Sequence, residues 1–194
     1  MSDRKLLERE NSWKVSRIMR NVVPLLIFLT LLELGSGYVL EGLKETFVNN
    51  PALLVLVPPI KDLAGNFGSV IASRVSTRLH LGIISDEDSM LGKKTLSDCI
   101  GIILLAFILS FFLALFTYFF VVITGGTLNF IIILKISMFT SLMLALFVII
   151  LGVSVVLISF KRIIEPDDVA IHIVTNFADI FGIIIFAVVV FIVV

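Results

Sequence analysis

Long apolar runs separated by short polar intervals dominate this chain. A membrane span needs about 20 mostly apolar residues, and five segments reach or approach that length. The first runs from Asn21 to Leu40, the third from Asp98 to Thr124, the fourth from Leu128 to Phe160 and the fifth from Val169 to Val194. The second differs. It starts near Pro51, passes through Pro58-Pro59 and Lys61-Asp62, and continues as a small-residue stretch to Val75. Proline removes a backbone donor and obstructs the helical ladder, so an interruption of this second helix is expected. The pattern predicts an all-α membrane protein with five transmembrane helices per subunit. Internal repeats are not evident.

Lys and Arg alternate between the connections. Arg4, Lys5, Arg9, Lys14, Arg17 and Arg20 precede the first span. Arg74, Arg78, Lys93 and Lys94 follow the second, and Lys161 and Arg162 follow the fourth, whereas the opposite side carries Lys44 and the uncharged Gly125-Gly126 turn. Basic loops stay in the cytoplasm. The expected topology therefore has the N-terminus cytoplasmic and the C-terminus outside. Residues 1–20 read as a basic cytoplasmic tail, with Trp13, Val15 and Ile18 suited to the headgroup region, and residues 21–194 as the five-helix transmembrane domain.

Composition agrees. Of 194 residues, 59% are hydrophobic and 15% charged, and the mean hydropathy is +1.15. Soluble proteins hold about 45–50% apolar and about 25% charged residues, so lipid is the solvent for most of this surface and a multi-pass location in the cell membrane is expected. A formal net charge of zero argues for no nucleic-acid partner. The single cysteine, Cys99, excludes an internal disulfide and a multi-cysteine metal site. No signal peptide is visible, because the first apolar segment is too long for one.

Charged groups inside the spans need a reason. A carboxylate at mid-bilayer costs roughly 2.5–3.5 kcal/mol on insertion scales, and it persists where it is paired or faces water. Asp179 lies well inside the fifth span, with Asn176 three and Thr175 four residues before it and His172 seven before it. These residues share one helix face. Oxygen ligands along such a face suit a hard, partly hydrated cation such as Mg2+; the structural alternative is a hydrogen-bonding stripe with Asp179 paired to Lys61. In the second span Asn66, Ser69, Ser73 and Ser76 recur at helical spacing, and Gly65, Gly68 and Ala72 allow close packing. This face reads either as pathway lining or as a packing seam. Glu33 has two readings, an ion ligand or the counter-charge of Lys61. Asp62 adjoins Lys61 and has the same two. Glu165, Asp167 and Asp168 flank Pro166 at the start of the fifth span, where acids complement the helix dipole and also form an anionic cytoplasmic mouth together with His172.

The run from Val57 to Gly82, VPPIKDLAGNFGSVIASRVSTRLHLG, carries a proline, then Gly65-Asn66, then Ala72-Ser73-Arg74-Val75-Ser76-Thr77. It resembles the MgtE-type magnesium transporters and, more closely, the related divalent-cation solute carriers of animals. Glu165 to Gly182, EPDDVAIHIVTNFADIFG, supplies the second match. The resemblance implies five helices per subunit, a pore between two subunits and hence a homodimer, and Mg2+ or another divalent cation as the transported ion. Asp179 falls on the family's pore aspartate, and Asn66 on the asparagine of its Gly-Asn signature. No counterpart of the bacterial cytoplasmic sensor domains is seen, and Gly68-Ser69-Val70 stands where the bacterial signature continues with Gly-Asn-Gln.

Two rival functions fit less well. An intramembrane enzyme lacks support, since neither His80 nor His172 accompanies a nucleophile motif, and no enzymatic activity is expected. A non-transporting scaffold or regulatory subunit fits the small size and the packing motifs but gives Asp179 no role.

Overall fold

In lipid every backbone N–H and C=O needs an internal partner, and a helix provides one within a single segment. The computed structural model describes residues 15–82, 93–161 and 166–194, which form six helices and no strand. They are α1 (Val15–Glu41), α2 (Lys44–Asn49), α3 (Ala52–His80), α4 (Lys93–Thr124), α5 (Phe130–Lys161) and α6 (Pro166–Val193). All except the short α2 contain a stretch long and apolar enough to cross a membrane. The five expected spans are therefore present. Residues 1–14 of the expected tail and the acidic Asp86–Asp88 loop lie outside the described residues, as does Glu165.

The interruption expected at Pro58-Pro59 is absent, because α3 runs continuously through both prolines. Without their N–H groups, the carbonyls of Leu54 and Val55 lose an intrahelical donor. The ladder on either side is unaffected, and Leu53, Leu56, Val57 and Ile60 around the prolines are buried against neighbouring helices. Tertiary packing thus holds in line a segment that local propensity alone would break. Helix ends are more conventional. The last turn of α4 closes when Gly126 N–H donates 2.9 Å to the Val121 carbonyl, a geometry that needs the left-handed φ of +70° at Gly125. Asn129 then starts α5 by accepting the Ile131 N–H at 3.1 Å.

Contacts fix the directions. A β-carbon at Gly65 would meet Asp179, one at Gly68 would meet Val174, and one at Gly182 would meet Ala64. Residue number rises along α3 as it falls along α6, so the two are antiparallel. Gly152 of α5 faces Ile71 of α3 and Val174 of α6, and Leu144 faces Gly182, which makes α5 parallel to α3. The Ser137 hydroxyl donates to the Ser110 carbonyl at 3.1 Å, and the Tyr118 and Phe130 rings meet edge to face, so α4 is antiparallel to α5. Helix α6 is central and packs on α1, α3 and α5. Helices α1 and α4 are peripheral and turn Leu31, Leu34, Phe116 and Phe119 outward, as lipid-facing surfaces do.

The core has two storeys. One groups Ala64, Phe67, Ile71 and Val75 of α3 with Ala106, Leu144, Val148, Val174 and Ala178. The other groups Leu53, Leu56 and Ile60 with Ala114, Ile133, Ile136, Ile183 and Phe186. Between them, on every long helix, lies polar chemistry: Glu33 and Ser36, Lys61 and Asp62, Ser110, Ser137, Thr140 and Ser141, and Asp179. A polar layer across the middle of an otherwise apolar bundle positions the site.

Candidate cation site

Pro58, the adjacent pairs Lys61-Asp62 and Gly65-Asn66, and Ser69 each lie three or four residues from the next along α3, so they share one face. With Thr175 and Asp179 of α6 they line a cleft of about 420 Å³. Gly65 allows the two helices to meet there. A β-carbon on it would sit 3.1 Å from Asp179 Oδ1 and 3.1 Å from Thr175 Cγ2. Gly68 continues the seam against Val174.

Asp179 Oδ1 is buried and has no hydrogen-bond partner among the described residues. A buried acceptor without a donor costs about 1–3 kcal/mol, and more when it is charged. The ion pair between Asp179 and Lys61, the structural alternative to an ion pathway, does not form. Lys61 is instead ion-paired with Glu33 of α1. Asp62 Oδ2 accepts the Asn66 side-chain N–H at 3.0 Å, and the Ser69 hydroxyl donates to the Asn66 carbonyl at 3.0 Å.

Residues 57–189 match the family model of MgtE, divalent cation transporter. The chain belongs to the MgtE family. Among curated proteins, none matches the sequence.

In this MgtE protein the cleft gathers Asp179, Thr175, Gly65, Asn66, Asp62 and Ser69 from the residues singled out in the sequence. Glu33 reaches it through Lys61. Asn176 points elsewhere and donates its side-chain N–H to the His172 carbonyl at 2.9 Å; neither residue lines the cleft. Ser73 is exposed, Ser76 is buried at 1% exposure, and neither lines the cleft. Asp167 and Asp168 occupy the first turn of α6, and their side chains lie outside the described residues. No cluster of three or more His, Cys, Asp or Glu that could enclose a metal occurs among the described residues. Two carboxylates, Asp62 and Asp179, with hydroxyl and amide neighbours suit an ion that keeps part of its water shell.

Sequence reasoning missed a cluster at the other end of α3. Asp98 of α4, with its side chain 3% exposed, receives Arg74 at 2.9 Å and Arg78 at 2.5 Å. The i, i+4 arginines are visible in the sequence, but the acid that joins them starts the next span and is found through tertiary structure. The hydroxyls of Thr140 and Ser141, buried and without hydrogen-bond partners among the described residues, were missed as well, because two hydroxyls barely lower the hydropathy of so apolar a helix.

Proposed function

We propose that this protein carries Mg2+ across the cell membrane along a path that passes Asp179 at the interface of a homodimer. The observation that carries the reading is the Asp179 carboxylate. It lies on a spanning helix, has an unpartnered buried oxygen and faces a polar cleft. An intramembrane ionisable group in such a cleft marks an ion pathway. The carboxylate supplies charge, while Thr175, Asn66 and Ser69 offer neutral oxygens that hold the water of a partly hydrated ion. Because Mg2+ sheds water reluctantly, most of these contacts run through water.

The dimer is supported by what a single chain leaves uncovered. Asp62 and Asn66 are exposed on a membrane-spanning helix, where lipid contact would cost about 2.5–3.5 kcal/mol per charge. A second copy related by a twofold axis covers this face and encloses the cleft between two equivalent walls. With the Arg74 end of the bundle in the cytoplasm, the start of α6 forms the inner mouth.

The test uses purified protein in liposomes that contain an Mg2+ indicator. Transport predicts Mg2+ entry down a gradient that protein-free liposomes lack. A scaffold or regulatory subunit predicts no difference from empty liposomes.

A further inference from the structure

We propose that Lys61 and Glu33 together set the fixed charge of the cleft, and so its preference for a doubly charged cation. The inference rests on the transport reading and concerns which ion that same site takes. Lys61 is an awkward neighbour for a cation path. Its ammonium lines the cleft that holds Asp62 and Asp179, where it repels any cation that enters. Its ion pair with Glu33 answers that repulsion. Glu33 comes from α1, a peripheral helix with most of its span exposed, and Glu33 itself does not line the cleft. It therefore acts on the ion through Lys61, as a positioning residue.

The charges can be counted. Lys61 contributes one positive charge against one negative charge each from Glu33, Asp62 and Asp179, leaving two negative charges per chain. One divalent cation per chain neutralises the layer; one monovalent cation per chain leaves it unbalanced. Apolar storeys above and below lower the local dielectric, and unbalanced charge there is costly. Neutralising Glu33 leaves one negative charge, which a monovalent ion matches. Neutralising Lys61 leaves three, which hold a divalent ion more tightly. The two substitutions should act in opposite directions, and combining them should restore the original charge.

The experiment measures half-saturating Mg2+ for liposome flux, together with the Mg2+-dependent rise in thermal unfolding midpoint of the purified protein. Glu33→Gln should raise half-saturation by about tenfold or more, equivalent to about 1.4 kcal/mol, and make flux more sensitive to competing K+. Lys61→Gln should lower half-saturation by about tenfold. The double variant Glu33→Gln/Lys61→Gln should return within about threefold of the parent. The swap Glu33→Lys/Lys61→Glu keeps both the pair and the net charge; it too should behave like the parent, and it carries the test where a single variant fails to fold. Two singles that shift Mg2+ response in the same direction, or a double or swapped variant as impaired as the worse single, would overturn the proposal and leave the pair a structural staple. Parent flux that is abolished by Asp179→Asn, alongside such a result, keeps the transport reading and removes this one. Absence of flux and of Mg2+ stabilisation in the parent removes both.

Discussion

Gly65→Ala adds one methyl at the closest approach of α3 and α6. Its carbon would lie 3.1 Å from Asp179 Oδ1 and 3.1 Å from Thr175 Cγ2, inside the roughly 3.5–4.0 Å of comfortable carbon contact. Thr175 is β-branched and stiff at χ1 in a helix, so relief comes from moving α6 or the Asp179 carboxylate by a few tenths of an ångström. Overpacking of this kind costs about 1–3 kcal/mol. Alanine also returns roughly 0.5–1 kcal/mol of helix propensity. The same change at Gly101 of α4, which has nothing within 4 Å, returns the propensity without the clash. Comparing the two variants cancels propensity and isolates packing, so Gly65→Ala should be about 1–3 kcal/mol less stable than Gly101→Ala. Thermal unfolding in detergent measures the difference. Mg2+ flux should fall by about tenfold in Gly65→Ala, as misplaced functional groups do, and stay at the parent level in Gly101→Ala. Equal stabilisation by both, with full flux, would refute the close contact at Gly65.

Asp98→Ala removes the buried acid shared by Arg74 and Arg78; since Arg74 is 61% exposed, water and headgroups soften the loss to about 1–3 kcal/mol, and an unchanged unfolding midpoint would deny Asp98 its joining role. A reporter fused after Val194 should be active outside the cytoplasm, and cytoplasmic activity would reverse the proposed orientation. Mass measurement in detergent should give twice the chain mass, and a fully active monomer would remove the dimeric path.

The five spans were legible because lipid is an unambiguous solvent: a charge-free run as long as Ile102 to Ile123 has no polar face to turn toward water. Asp179, Gly65 and Asn66 were legible for the converse reason, as polar or minimal residues in apolar surroundings. Spacing along one helix could not say which polar side chains converge. It grouped Asn176 with Asp179, but Asn176 bonds its own helix at the His172 carbonyl. It left Glu33 with two roles, and a contact between α1 and α3 joins it to Lys61. The continuous path of α3 through Pro58-Pro59 was hidden because propensity is local, whereas the packing that carries the helix through comes from residues distant in sequence. The polar layer between the two apolar storeys emerges when all five helices are aligned in depth.

The central claim is that the Asp179 carboxylate binds the ion in transit, and Asp179→Asn tests it most directly. The amide keeps the shape and removes the charge, and so relieves the cost of burying that charge where one oxygen lacks a donor. Thermal unfolding and liposome Mg2+ flux should be measured on the same preparation. The account predicts a variant at least as stable as the parent with Mg2+ flux abolished or strongly reduced. A stable variant with full flux would contradict it.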